Sequence, residues 1–411
     1  MNRRDVLNAA LGLGAGLTLC GSRAWAAEAL SLETPRFLLV FLRGGYDAAN
    51  LLVPHASSFY YESRPNIAIA RPQGDAAGQA LPNTALPLDA QWALAPALAG
   101  SLYPMFQQRQ LAFMPFAGVD DLSRSHFETQ DRIEFGQAGD AVHRDYSSGF
   151  MNRLAAEIGA GRGTPVSSMA FTDQLPISFR GSQPVANQSL RNVGKSAVNA
   201  HQADLISRMY AGTAMADSVS EGFAVREEVS REMAAEMEAA SRNAIAAKGF
   251  ETEARRMAHL MRDKVQLGFV DVGGWDTHVG EGGASGQLAG KLAPLGQGLK
   301  AFADEMGARW QNTVVLVLSE FGRTFRENGN RGTDHGHGSV HWVMGGAVQG
   351  GRIVGEQVDV NARNLFQNRD YPVLNEYRAV LGGLFARMYG LDSAAVARIF
   401  PGARPRDWGL V

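Results

Sequence analysis

The sequence predicts an α/β protein with a largely parallel sheet, and three observations carry that prediction. Short, almost wholly apolar runs end in glycine or an acid, helical patterns lie between them, and the composition can build a large core. Hydrophobic residues make up 45% of 411 and charged residues 19%, which excludes a disordered chain. The runs are Phe37 to Leu42, Leu111 to Phe116, Gln266 to Val270 and Thr313 to Leu318. They lead respectively into Arg43-Gly44-Gly45-Tyr46-Asp47, Ala117-Gly118-Val119-Asp120-Asp121, Asp271-Val272-Gly273-Gly274-Trp275-Asp276 and Ser319-Glu320-Phe321-Gly322. Runs of this length without polar alternation read as strands buried on both faces. Leu288 to Trp310 keeps apolar residues at i, i+3 and i+4 (Leu288, Leu292, Leu295, Leu299, Phe302 and Met306), the stripe of a packed helix. Strands alternating with helices imply parallel pairing.

Residues 197–264 differ. They are rich in Ala, Glu, Arg and Met and poor in β-branched residues, and read as an all-helical insertion. Within it Ser220 to Ala247 is predicted as one long helix and Glu251 to Leu267 as another. Residues 72–90 and 160–195 read as surface loops, and no internal repeat is visible.

Residues 1–26 read as a targeting segment. Arg3-Arg4 precedes a short apolar run from Ala9 to Cys20, and Ala24-Trp25-Ala26 supplies small residues at the cleavage positions. The run is too short to span a bilayer, and the paired arginines look like a twin-arginine signal, which exports folded proteins. The remaining 27–411 is then one periplasmic or secreted domain without a transmembrane anchor. Its partners would include the export machinery. Cys20, the one cysteine, leaves with the signal, so thiolate chemistry and disulfides are not expected. With 39 basic against 41 acidic residues the chain lacks the basic excess of a nucleic-acid binder. Glycine is over-represented, at 47 residues, which signals close backbone approach or unusual dihedral angles somewhere in the fold.

In open α/β sheets ligands bind beyond the carboxyl ends of the strands. Those ends carry Asp47, Asp276 with His278, and Glu320, and Gly332-Thr333-Asp334-His335-Gly336-His337-Gly338 precedes a further extended run, Ser339 to Met344. Residues two apart in extended chain face one side, so Asp276 with His278, and His335 with His337, are candidate ligand pairs. Carboxylates and imidazoles without thiolates suit zinc, manganese or iron; calcium or magnesium suits a site richer in oxygen. Ser125 opens a predicted helix. With Glu128 it fits a capping box, and beside a metal the same hydroxyl becomes a candidate nucleophile. His126 is a candidate acid/base or a packing residue. Arg43, Arg124 and Arg323 adjoin these motifs and have the fork geometry to grip phosphate or sulfate oxygens.

The order of these motifs resembles a twin-arginine-exported family of unknown function (domain of unknown function 1501) within the alkaline phosphatase and sulfatase-like superfamily. The resemblance rests on Phe41 to Asp47, Ser123 to Glu128, Gly273 to His278, Ser319 to Thr324 and Gly332 to Gly338. It implies a three-layer alkaline-phosphatase-like core with one or two divalent ions at the strand ends. Asp47 would bind the second ion, Asp276 and His278 the first, and Ser125, or alternatively Ser123, would be the nucleophile. Where the superfamily has Asp-His-Gly, this chain has Glu320-Phe321-Gly322, so His335 would supply the missing imidazole and His337 would serve the first ion. The implied activity is metal-dependent hydrolysis of a phosphate or sulfate ester of a small molecule, saccharide or lipid. The alternative is a binding or assembly protein that keeps the fold without turnover.

Overall fold

The computed structural model describes residues 30–75, 81–138, 146–190, 200–213, 215–216, 219 and 249–411. The expected signal segment and the long helix expected over Ser220 to Ala247 lie outside the described residues. Nine strands of the described chain form the main sheet: β1 (Arg36–Arg43), β2 (Leu111–Gly118), β3 (Ser168–Ala170), β4 (Ala186–Asn187), β5 (Leu267–Gly273), β6 (Thr313–Ser319), β7 (Ser339–Gly345), β8 (Arg352–Ile353) and β9 (Asn375–Glu376). Their order is β8-β2-β7-β6-β1-β5-β3-β4, with β9 also on β2. β1 pairs in parallel with both β5 and β6, Leu39 lying level with Phe269 and Leu316. β7 alone runs against its neighbours β2 and β6.

The helices that matter here are α1 (His126–Phe135), α2 (Phe150–Arg162), α3 (Ala200–Tyr210), α4 (Phe250–Asp263), α5 (Gln287–Met306), α6 (Tyr377–Tyr389) and α7 (Ser393–Ile399). They cover the sheet on both faces because β1 alternates. Leu38, Val40 and Leu42 join Met261 of α4 and Leu292 and Leu295 of α5 in one apolar cluster. Phe37, Leu39 and Phe41 join Leu154 of α2, Leu384 of α6 and Ile399 of α7 in the other. A strand with two buried faces is what an uninterrupted apolar run encodes. No helix among the described residues is long and apolar enough to cross a membrane.

The strands predicted from apolar runs are present, with ends displaced by at most three residues. Three expectations need correction, the first over residues 72–90, which are not all surface loop because Leu86–Pro87 is a strand of a second, three-stranded sheet. Residues 160–195 are not all surface loop, because β3 and β4 extend the sheet there and β3 is fully buried. Strands of two or three residues are too short to leave a periodic signal. The helix expected over Glu251 to Leu267 ends at Asp263, before β5. The expected helical insertion shows α3 and α4 at its described ends, and α4 packs into the core through Ala254, Met257, Ala258 and Met261.

The reversal of β7 positions the site. Parallel strands β1, β2, β5 and β6 bring Arg43, Gly118, Gly273 and Ser319 to one edge by their carboxyl ends. Antiparallel β7 brings its beginning there, Ser339 facing Ala117. The segment just before β7 therefore meets the segments just after the others.

Main chains approach closely at this edge. A Cβ on Gly322 would lie 1.9 Å from the carbonyl oxygen of Gly338, whereas one on Gly290, exposed in α5, would meet nothing within 4 Å. Gly322→Ala is therefore expected to destabilise the chain by about 1–3 kcal/mol. Gly290→Ala should stabilise it by up to ~1 kcal/mol through helix propensity. Urea midpoints should move in opposite directions, and equal shifts would show that this close approach is not rigid.

Candidate functional site

Two loops beyond the edge are laced together by their backbones. Gly280 N–H donates to Asn330 O at 2.9 Å, Glu281 N–H to Arg331 O at 2.9 Å and Thr333 N–H to Thr277 O at 3.3 Å. A Cβ on Gly332 would sit 2.3 Å from the His278 carbonyl oxygen, so this contact requires glycine. The glycine excess has its use here: Asp276 and His278 on one loop face Asp334 and His335 on the other.

Four side chains converge. His335 Nε2 lies 3.0 Å from His126 Nε2, 3.2 Å from His278 Nε2 and 3.1 Å from Asp276 Oδ1. Asp276 Oδ1 is 2.9 Å from His278 Nε2, and Asp276 Oδ2 is 3.6 Å from His126 Nε2. His126, Asp276 and His335 each offer a ligand atom within 4.8 Å of the others. Metal–nitrogen bonds of about 2.0–2.1 Å at tetrahedral angles separate neighbouring donors by about 3.3 Å, close to these spacings. The cluster is open, with 42% of the Asp276 side chain exposed.

The outward nitrogens decide the chemistry. His126 Nδ1 faces Glu320 Oε1 at 2.8 Å, His278 Nδ1 faces Asp334 Oδ1 at 3.2 Å and His335 Nδ1 faces the Arg124 carbonyl at 3.1 Å. These oxygens accept, so each Nδ1 carries the hydrogen and each neutral imidazole turns an Nε2 lone pair inward. Oxygen partners behind imidazoles are the usual orienting shell of a metal site. Arg124 adopts φ 50° while presenting its carbonyl, and its guanidinium is held by Asp370 Oδ2 at 2.8 Å and Gln367 Oε1 at 2.9 Å.

Charge is distributed accordingly. The Glu320 hydrogen bond raises the His126 pKa despite partial burial. Burial and neighbouring His126 lower that of His335. Burial alone would raise Asp276, but Arg323, joined by the imidazoles in their protonated form, holds it below its ordinary value. For buried Glu320, donors including His126 and Gln130 outweigh desolvation and keep it ionised. Arg323 is fully buried with Nη1 2.8 Å from Asp276 Oδ1, an approach off the donor axis, and none of its nitrogens makes a hydrogen bond.

Several candidates from the sequence lie outside the cluster. Asp47 gives both oxygens to Arg64, in a buried ion pair. His337, at a bend where strand alternation is lost, is buried against Phe366. Glu320 accepts from His126, Gln130, Ser319 and the Gly44 N–H, so it backs an imidazole rather than facing the cluster. Asp334 likewise backs His278. Arg43 is engaged by Asp271, Gln130 and Glu134 at 2.7–2.9 Å, a structural brace rather than an open fork. Ser125 is the N-cap residue of α1, but its hydroxyl makes no capping bond, so the expected capping box does not form. Ser123 is tied to Asp121 and Thr129. Phe321 lies under the cluster, with ring centroids 4.9 Å from His126 and 5.0 Å from His335. Sequence reasoning missed Arg64 and Glu281, which no motif marks.

Donors for a second ion do not fit such an ion: Asp47 is taken by a guanidinium, Glu320 by an imidazole, and Phe321 has no donor atom. Fold and site thus define a mixed α/β protein with, among the described residues, one histidine–aspartate cluster at the carboxyl edge of a mostly parallel sheet. The chain belongs to the family described as Protein of unknown function (DUF1501), whose model matches residues 34–400. No curated protein matches the chain.

Replacing Glu320 by glutamine removes the anion that favours protonated His126. Glu320→Gln is expected to lower the His126 pKa in metal-free protein, read from imidazole proton shifts in an NMR titration. An unchanged titration would mean that the pair is not formed.

Proposed function

We propose that the cluster of His126, Asp276, His278 and His335 holds one divalent cation and that the chain is an exported hydrolase of phosphate or sulfate esters. The observation that carries this reading is the convergence of three imidazole lone pairs on a carboxylate, each imidazole held by an oxygen behind it. Three nitrogens and one oxygen favour zinc or manganese, with iron next; calcium and magnesium prefer more oxygen. A bound cation would supply Lewis acidity and lower the pKa of a nearby hydroxyl or water.

The chain's own groups divide the remaining work. Ser125, free of capping duty and adjacent to His126, is the candidate nucleophile. Its oxygen would bond to phosphorus or sulfur while the ester alcohol leaves with a proton, and water would then release the acid. Arg323 supports an anionic substrate, because a buried guanidinium without hydrogen bonds gains when acceptor oxygens arrive. Glu320 orients His126 through Nδ1. A small-molecule, saccharide or lipid ester fits this chemistry. Arg3-Arg4 and the following apolar run support export through the twin-arginine machinery.

Phe321 and the Arg64-bound Asp47 favour a second reading, a binding or assembly protein that keeps the site without turnover. Metal analysis after native export, without chelators, tests the first part: about one equivalent is expected, and under about a tenth overturns it. Asp276→Ala and His335→Ala should each weaken binding by at least about 10–100-fold. Ser125→Ala should lower turnover of aryl phosphate or sulfate by roughly 10³-fold or more. Metal-loaded wild type that turns over neither ester would favour the second reading.

A further inference from the structure

Behind the cluster the fold buries charged groups that the proposed chemistry leaves unused. Arg64 is wholly buried and saturated: besides Asp47 it donates to Phe325 O at 2.7 Å, Asn50 Oδ1 at 3.1 Å and Thr324 O at 3.2 Å. Against this pair lies Glu281, also wholly buried, with Oε2 accepting from Thr277 Oγ1 at 3.0 Å and Thr333 Oγ1 at 2.7 Å. Thr277 stands between Asp276 and His278, and Thr333 stands two residues before His335. One carboxyl oxygen thus joins the two loops that carry three of the four cluster side chains.

Burial and the Asp47 carboxylate push the Glu281 pKa well above its ordinary value, which favours the protonated acid beside Asp47. One guanidinium, one carboxylate and one carboxylic acid leave no net charge, which suits a buried group. The geometry gives the two oxygens different roles: Oε2 accepts from both threonines, whereas Oε1 meets no donor and is the oxygen left to carry the acid's hydrogen.

We propose that Arg64, Asp47 and Glu281 are the positioning unit of the cluster, with Glu281 clamping the loop of Asp276 and His278 to the loop of His335. The inference rests on the metal reading above. Glu281 touches no cluster atom; it acts through Thr277 and Thr333. Its neutral isostere should therefore serve: in Glu281→Gln the amide N–H₂ donates to Asp47 and the amide oxygen accepts from both hydroxyls.

Zinc affinity of the full chain, measured by competition with a chromophoric chelator, tests the proposal. Glu281→Gln should stay within about threefold of wild type, whereas Glu281→Ala should bind about 10–100-fold more weakly, the usual effect of losing an orienting partner. Leu154→Ala, in the apolar cluster that does not contain α4 and α5, controls for stability and should leave affinity unchanged while lowering the melting temperature. Wild-type affinity in Glu281→Ala, or equal weakness in the glutamine variant, overturns the positioning role while the metal site stands. Absence of zinc binding in wild type overturns both readings.

Discussion

Lone pairs of like sign do not tolerate one another at hydrogen-bond distance. Three neutral imidazoles with Nδ1 hydrogens committed outward would present three Nε2 lone pairs to a carboxylate across 2.9–3.6 Å, an arrangement that positive charge relieves and to which Arg323, beside Asp276, already contributes. In metal-free chain a proton on His126 serves in part, since Glu320 raises that residue's affinity for it. Much of the surrounding structure maintains this demand. Glu320, Asp334 and the Arg124 carbonyl fix the three tautomers. Arg124 accepts a left-handed backbone to do so, a conformation that costs roughly 1–2 kcal/mol in a non-glycine residue. Its guanidinium bonds to Asp370 and Gln367 hold the turn in place.

The second carboxylate centre of this edge is satisfied differently. Asp47 follows the first strand, where the resemblance led to the expectation of a ligand, yet its charge is balanced by a side chain of the same fold. An internal guanidinium is fixed in number and position; an exchangeable ion is neither. The same holds for Glu320 and His126. Phe321, its ring packed beneath two imidazoles, closes the space between them with carbon. The edge thus separates a buried, self-neutralised region from an open one where Asp276 is partly exposed.

The sequence made the sheet legible wherever a strand is buried on both faces, because a run such as Thr313 to Leu318 has no other use for so many consecutive apolar residues. It could not reveal β3 and β4, whose two or three residues carry no period, nor the direction of β7, which depends on partners distant in the chain. At the site, Asp276 with His278 and His335 were legible from spacing and glycine context. His126 was marked, though not as a partner of His335. His337 misled because alternation holds only in extended chain, and the bend at that residue redirects its ring to Phe366. Arg64 and Glu281 were invisible because a lone arginine after a short helix and a glutamate in a glycine-rich loop look like ordinary surface residues until tertiary packing buries them.

His126 and His335 face each other across a separation of 209 positions, and the reversed strand that follows His335 is wedged between β2 and β6. Contacts of such long range carry a large loop-closure cost and form slowly, and β2 joins the rest of the main sheet only through β7. A growing chain that stops before His335 can already hold β1, β5 and β6 side by side and still lack one of the four cluster side chains. The site therefore exists only once that long-range closure is made, and a ligand captured there would bind only molecules in which it has been made.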